Sequence, residues 1–298
     1  MTGELAALGA AASWAVTALA IEGGARRIGS LTVNLVRLIF GFAFLSLAAL
    51  VVRGVLLPVD ATAHNWAWLA VSGLVGFTFG DLCLYRAYVV LGPRLSSLMM
   101  ALVPPMTALI GWVALGETLT RRDLLGMTLT IVGIGWAILE RGRRTEILAE
   151  SGPLSISFAG VALGFGGALG QAVGLILSKI GMAGYDVFAA TQVRVLAGAV
   201  GYALLFFALK WWPNVRTGIR DGKALGFSAL GAFFGPFLGV SLSLIAVRET
   251  VAGVAASIMA LTPVLIIPLV IVLRKERVGI GGFAGALVAV IGVALLFL

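Results

Sequence analysis

Long apolar runs separated by short polar linkers make up almost the whole chain. Ten of these runs are long enough to cross a bilayer, which takes about 20 mainly apolar residues in a helix. They lie at 3–21, 31–52, 66–90, 94–115, 122–139, 155–178, 187–209, 224–247, 250–273 and 279–298. The runs are too long and too evenly apolar for the alternating pattern of a membrane β-barrel. The pattern therefore predicts an all-α integral membrane protein with ten transmembrane helices.

Two of the runs share a pattern that recurs 159 residues later. The stretch ALVPPMTALIGWVALGE at 101–117 aligns with ALTPVLIIPLVIVLRKE at 260–276, and a methionine precedes each. The alignment pairs Pro104 with Pro263. Proline frees a backbone carbonyl one turn earlier and can kink a helix. We therefore expect spans four and nine to bend near these two prolines and to flank a substrate path.

A second set of matches lies nearer the start of each half, at an offset of 157. It pairs Arg37 with Arg194 and Trp14 with Gln171. The two offsets differ by only two residues, as expected for a small change in loop length. Because the matches keep the same order in both halves, they indicate an internal duplication.

The polar linker at 140–154 divides the chain into two halves of five spans, 1–139 and 155–298. Five is odd, so two fused five-span units insert in opposite orientations. The sequence thus predicts two inverted five-helix repeats, an architecture common in secondary transporters. Such folds place their substrate near the midplane between the repeats and reach it by alternating access.

Composition and charge favour the membrane over other partners. Hydrophobic residues make up 60% of the chain and charged residues 11%, against about 25% charged in soluble domains. The net charge of +8 comes from Lys and Arg between apolar runs, as in loops that flank membrane spans. We therefore expect the lipid bilayer as a partner and no nucleic acid.

Several residues resemble a known family. The arginines of spans two and seven and the pattern Pro104…Gly116-Glu117…Gly126…Gly133 resemble the drug/metabolite transporter superfamily, in its EamA branch. The resemblance covers essentially the whole chain, and within the branch the chain is similar to the YddG-type exporters of aromatic and other neutral amino acids. The second half departs from the pattern, with a Lys-Glu pair at 275–276 where Gly-Glu is usual.

The resemblance implies a secondary transporter that exports small metabolites, foremost amino acids. An exporter of cationic drugs with the same fold is the alternative, and a non-transporting membrane scaffold is an alternative of another class. The resemblance also implies no bound cofactor or metal and a place in the bacterial inner membrane. Ten spans suffice for a monomer to enclose a cavity. Because the single histidine, His64, has no repeated acid partner, we expect no enzymatic activity.

Asp81 is the only acidic residue well inside a predicted span. An ionised carboxylate there is costly, so it is expected to face a cavity or a partner. It can bind a substrate ammonium group or a proton. It can equally pair with Arg86 on its own helix or cap a helix break after Gly80.

The paired positions in spans one, two, six and seven are further candidates for substrate binding. Arg37 and Arg194 can hold a carboxylate in bidentate geometry, or extend towards lipid headgroups. Trp14 can stack on an aromatic substrate or serve as packing bulk. Gln171 must find a hydrogen-bond partner inside its span, and substrate is one option.

Five more residues complete the candidate site as an apolar wall with sparse polar groups. Each of them can instead be ordinary packing. They are Thr78, Tyr85, Met100, Ser243 and Met259.

The orientation of the termini has two opposing indications. Loops on the side of the termini hold five Lys and Arg residues and the opposite loops hold fourteen. The positive-inside rule then places both termini outside. The family resemblance implies cytoplasmic termini.

Overall fold

The protein is described here by a computed structural model, which covers residues 1–148, 157–274 and 280–297. These ranges are helical almost throughout and contain no β-strand. They form fourteen α-helices and two π-helical segments. The elements in chain order are α1 (Thr2–Ile28), α2 (Ser30–Arg53), α3 (Ala63–Gly73), π1 (Leu74–Gly80), α4 (Asp81–Met100), α5 (Val103–Leu115), α6 (Arg121–Leu148), α7 (Phe158–Gly181), α8 (Val187–Ala208), α9 (Trp212–Gly218), α10 (Gly222–Ala232), π2 (Phe233–Gly239), α11 (Val240–Glu249), α12 (Ala252–Met259), α13 (Thr262–Arg274) and α14 (Ile280–Leu296).

Helices long and apolar enough to cross a bilayer dominate the described residues. Eight stretches meet both criteria, and α5 and α14 are two shorter apolar helices. These two lie in predicted spans four and ten. The all-helical membrane fold is thus confirmed, whereas the count of ten spans and their inverted arrangement stay predictions.

Helix boundaries in the first half recur in the second. α3 and π1 end at Gly73 and Gly80, and α10 and π2 end at Ala232 and Gly239, in each case 159 residues later. A π segment widens the helix locally and is common at functional sites. Each half therefore carries the same irregularity at the same place in its third predicted span.

The paired prolines stand beside helix breaks and not at kinks within one helix. The chain leaves α-helical geometry at 101–102 and again at 260–261. Pro104 and Pro263 fall in the first turn of the helices that follow, where an amide N–H is not needed. Pro268 lies inside α13 and has no equivalent in α5.

Helix α4 runs through the loop that the sequence predicted at 91–93, so spans three and four are not separated by a non-helical linker. The helix is nevertheless sharply bent, as two contacts with α7 show. A Cβ added at Gly164 would lie 2.6 Å from Met99 Cγ, and one at Gly166 would lie 3.3 Å from Cys83 Sγ. A straight helix would hold Cys83 and Met99 about 24 Å apart, too far to reach two glycines that are two residues apart.

A glycine face of α7 brings that helix against π1. A Cβ added at Gly170 would lie 2.7 Å from Gly80 Cα, and one at Gly174 would lie 3.0 Å from Gly76 Cα. Small residues four positions apart allow two helix backbones to approach this closely. The contact joins an irregular helix of the first half to a helix of the second.

Two glycines of the family pattern serve helix packing as well. A Cβ added at Gly126 would lie 2.9 Å from Gly292 O, and one at Gly285 would lie 2.8 Å from Gly133 O. Only glycine allows α6 and α14 to approach this closely. These two glycines of the family pattern therefore serve a contact between the two halves. The contact does not belong to the polar centre described next.

Candidate functional site

The centre of the site is an ion pair between α2 and the start of α4. Arg37 Nη2 lies 2.9 Å from Asp81 Oδ2. Asp81 is the first residue after π1, and the two side chains are 11% and 10% exposed. Arg86, which the sequence offered as a partner, is exposed. Asp81 thus pairs across helices with a cation that is far away in the sequence.

The second half of the chain completes this ion pair. Gln171 Nε2 on α7 donates to Asp81 Oδ1 at 2.9 Å and to the carbonyl oxygen of Gly76 at 3.3 Å. Each carboxylate oxygen of Asp81 therefore accepts a hydrogen bond. The close approach of α7 to π1 is what brings the amide within reach.

Arg194 lies near this network but outside it. Its side chain is buried, with the residue 5% exposed, and its guanidinium carbon lies 5.1 Å from the centre of the Phe77 ring. A Cβ added at Gly76 would lie 3.7 Å from Arg194 Nη2. The described residues give Arg194 no hydrogen bond or ion pair, whereas Arg37 has Asp81. The Nε of each arginine is a buried donor without an acceptor among these residues. The two arginines that sequence symmetry treats as equals thus differ in their surroundings.

Asn34 and Tyr202 extend the polar centre and were missed in the sequence. Asn34 Nδ2 donates to the Tyr202 hydroxyl oxygen at 2.6 Å, and both residues are buried. Asn34 Oδ1 has no hydrogen-bond partner. The signal was available, because Asn34 is an amide inside an apolar run, one helical turn before Arg37.

Tyr85 lies close to Arg37 of the polar centre, and Trp14 lies against π2. Tyr85, on α4, is partly buried and within electrostatic range of Arg37. Trp14 lies against the end of π2, where a Cβ added at Gly239 would be 2.5 Å from its Nε1. Trp14 of the first half therefore lies beside Gly239 of the second half, just as Gln171 of the second half lies beside Gly80 of the first.

Other predicted site residues are committed to packing. Thr78 Oγ1 donates to the carbonyl oxygen of Gly198 at 3.3 Å, and Ser243 Oγ donates to that of Val240 at 2.7 Å. Met259 is 4% exposed within the main apolar core. Met100 ends α4 and is partly exposed. The structure does not bring these hydroxyls or Met259 to the ion pair.

One face of the molecule, here called the N-terminal face, carries Met1 and the turns at 54–62, 116–120, 182–186 and 250–251. Glu117 joins three elements there. Its Oε1 accepts from Lys179 Nζ at 2.6 Å and its Oε2 from the backbone N–H of Ala252 at 2.9 Å, while Lys179 also donates to Thr250 O at 2.8 Å. A turn of the first half thus caps helix α12 of the second.

A second cluster on the N-terminal face joins the turns at 54–62 and 182–186. Arg53 forms an ion pair with Asp60, and its Nε lies 3.7 Å from Asp186 Oδ1. The Tyr185 hydroxyl donates to Asp60 Oδ1 at 3.0 Å. Burial and this hydrogen bond raise the pKa of Tyr185 to about 12, so the donor keeps its proton at physiological pH. The two clusters tie the halves together on this face.

Comparison with known proteins places the fold. The model of the EamA-like transporter family matches residues 1–139 and 158–298. A crystal structure of a protein 18% identical in sequence superposes with a TM-score of 0.75 over 99% of this chain and 95% of the other, a likeness that shows the fold alone. No curated protein matches the chain.

Proposed function

Because the chain belongs to the EamA-like transporter family, we propose that it exports small metabolites, foremost aromatic and other neutral amino acids. Family membership and the apolar helices make it an integral membrane transporter of small molecules. The substrate class, the direction of transport and the YddG-type likeness belong to the proposal. So do its assignment as a cofactor-free, monomeric secondary carrier of the bacterial inner membrane and the absence of enzymatic activity.

The observation that carries the proposal is the buried network of Arg37, Asp81 and Gln171. Ionised groups inside transmembrane helices are expensive, and they typically mark a substrate or ion path. Here they join a helix of the second half to two helices of the first. A membrane scaffold has no need of such groups at this depth.

Alternating access is supported by the recurrence of helix irregularities in both halves. In the proposed mechanism the two five-helix halves are inverted repeats, and each flexes at its π segment and at its break, 101–102 or 260–261. In this mechanism the Glu117 cluster, which joins the two halves, closes the N-terminal face in one of the two conformations. Export then requires that cluster to separate in the opposite conformation.

The charges favour a substrate with a negative group over a cationic drug. Two arginines, the buried Arg194 and the largely buried Arg37, accompany one buried aspartate, Asp81. A cation would meet this excess of positive charge. A zwitterionic amino acid carries the carboxylate that an arginine binds best, and its apolar side chain suits the surroundings of Trp14.

Reconstitution into liposomes tests the function. We expect counterflow of labelled L-phenylalanine or L-leucine by the wild-type protein and little by Asp81→Asn. Asp221→Asn, which alters a partly exposed acid paired with Arg27, is the matched control and should transport normally. Transport of cationic drugs alone would favour the drug exporter, and absence of any flux would favour the scaffold.

A further inference from the structure

We propose that Arg194 is the residue that binds the substrate, through a single carboxylate group of the transported molecule. The inference rests on the proposed function, because it concerns the same site. It assigns different roles to the two arginines. Arg37 is a positioning residue that holds Asp81, and Arg194 is free to bind an anion.

The charge balance among the described residues supports this division. Asp81 accepts from Arg37 through one oxygen and from Gln171 through the other. Arg194 makes no hydrogen bond or ion pair with Asp81 or with any other described residue. One positive charge in the site therefore lacks a negative counterpart.

A buried guanidinium without an anion is an unfavourable arrangement that needs a reason. Burying an uncompensated charge costs several times the energy of an ordinary contact. The Phe77 ring, 5.1 Å away, offers a cation–π contact that offsets part of this cost. A ring cannot accept the hydrogen bonds of the guanidinium N–H groups, whereas a carboxylate accepts two of them in parallel.

The backbone next to Arg194 leaves room for a small group. A Cβ added at Gly76 would be 3.7 Å from Arg194 Nη2 and 3.9 Å from Gly174 Cα, which are ordinary van der Waals distances. A carbon atom at this position, on the side of Gly76 that faces Arg194, thus fits beside the guanidinium. The same glycine presents its carbonyl oxygen to Gln171, which links this space to Asp81.

The size of the unbalanced charge selects the kind of anion. Arg37 and Arg194 together exceed Asp81 by one charge, which matches a monocarboxylate. A phosphate monoester carries between one and two negative charges near neutral pH and would meet repulsion from Asp81.

Matched compounds test the assignment directly. In proteoliposomes, L-phenylalanine and phenylpropionate carry the carboxylate, whereas phenylethylamine lacks it. Competition against labelled L-phenylalanine should be about tenfold stronger, or more, with the carboxylate than without it in the wild type. Arg194→Gln should abolish that difference, and Arg194→Lys, which keeps the charge but loses the planar fork, should retain part of it.

A second measurement needs no transport activity and separates binding from structural support. Removal of an unpaired buried charge should raise the thermal unfolding midpoint of the ligand-free protein in detergent, so Arg194→Gln should be at least as stable as the wild type. Arg37→Gln, which leaves Asp81 without its cation, should lower the midpoint. Millimolar benzoate should stabilise the wild type and not Arg194→Gln, and inorganic phosphate should stabilise neither.

The outcomes distinguish the two proposals. If no amino acid is transported but benzoate stabilises only the protein with Arg194, the proposed substrate class fails and the anion site stands. If L-phenylalanine is transported and Arg194→Gln keeps the full advantage of the carboxylate compounds over phenylethylamine, the transport function stands and the role of Arg194 is wrong. A lower midpoint for Arg194→Gln together with no response to benzoate would also overturn it.

Discussion

The two π-helical segments occupy equivalent places in the two halves and carry different chemistry. π1 leads into Asp81, and Gln171 of α7 lies against the last residue of π1. π2 leads into Val240, and Trp14 of α1 lies against the last residue of π2. The backbone geometry recurs, but one copy is ionic and the other is apolar and aromatic.

The difference shows how a duplicated fold can recognise an asymmetric molecule. A symmetric pair of charged segments would bind both ends of a substrate alike. With the ionic groups beside π1 alone, the proposed transporter would bind an amino acid in one orientation, with its charged groups near π1 and its side chain towards π2. In that proposal the shared backbone geometry serves the movement of both halves, while each copy keeps its own contacts.

Making π1 resemble π2 should have the largest effect. Asp81→Val places the residue found at position 240 after π1 and leaves Arg37 buried without its partner. We expect a loss of about 3 kcal/mol of stability and no transport. The double variant with Arg37→Met should recover the unfolding midpoint in detergent but not the flux in proteoliposomes. Wild-type flux in Asp81→Val would remove the ion pair from the mechanism.

The close packing of π1 offers the next test. A Cβ at Gly170 would lie 2.7 Å from Gly80 Cα, so Gly170→Ala should push α7 away and cost about 1–3 kcal/mol. Gln171 would then lose its reach to Asp81, and flux should fall. The equivalent position beside π2 is already Ser13, and Ser13→Ala should unfold and transport like the wild type. Equal unfolding midpoints for the two variants would contradict the packing argument.

The aromatic copy should control selectivity and not turnover. Trp14→Leu removes the ring beside π2, and we expect the preference for L-phenylalanine over L-leucine to fall about fivefold, the size of one aromatic contact. Gln171→Leu should reduce flux of both amino acids by a similar factor. Competition assays with the two compounds give both ratios. An unchanged ratio in Trp14→Leu would separate the ring from the substrate.

Thr78→Val should have the smallest effect. The hydroxyl of Thr78 donates to a carbonyl of α8, and the equivalent residue in π2 is Phe237. We expect about 1 kcal/mol of lost stability and unchanged flux for both amino acids. Reduced affinity for substrate, measured as a higher KM, would return Thr78 to the binding site.

The repeat in the sequence located the helix breaks well, and the irregular segments not at all. The prolines at 104 and 263 indicated where spans four and nine are interrupted. The π segments lie in evenly apolar stretches, LVGFTFG and FFGPFLG. A change in helical hydrogen bonding leaves no hydrophobic period to detect, because every position there except Thr78 is apolar or glycine.

Pairing between distant helices was also beyond the sequence. Asp81 was recognisable as a polar residue inside a span. The sequence offered its neighbour Arg86 as a partner and gave no reason to prefer Arg37. Symmetry made Arg37 and Arg194 equal candidates for the carboxylate of a substrate. They differ because Asp81 has Val240 as its counterpart, so only one arginine has an acid to meet.

In the proposed alternating-access cycle, the hydrogen bond from Ala252 to Glu117 indicates whether the N-terminal face is closed. The carboxylate of one half terminates helix α12 of the other by accepting from Ala252, so that helix has its cap only while the N-terminal face is shut. Each opening of the face should fray the first turn of α12. Amide hydrogen exchange in that turn would then follow the conformational cycle in the membrane, with no label attached and no knowledge of the cargo.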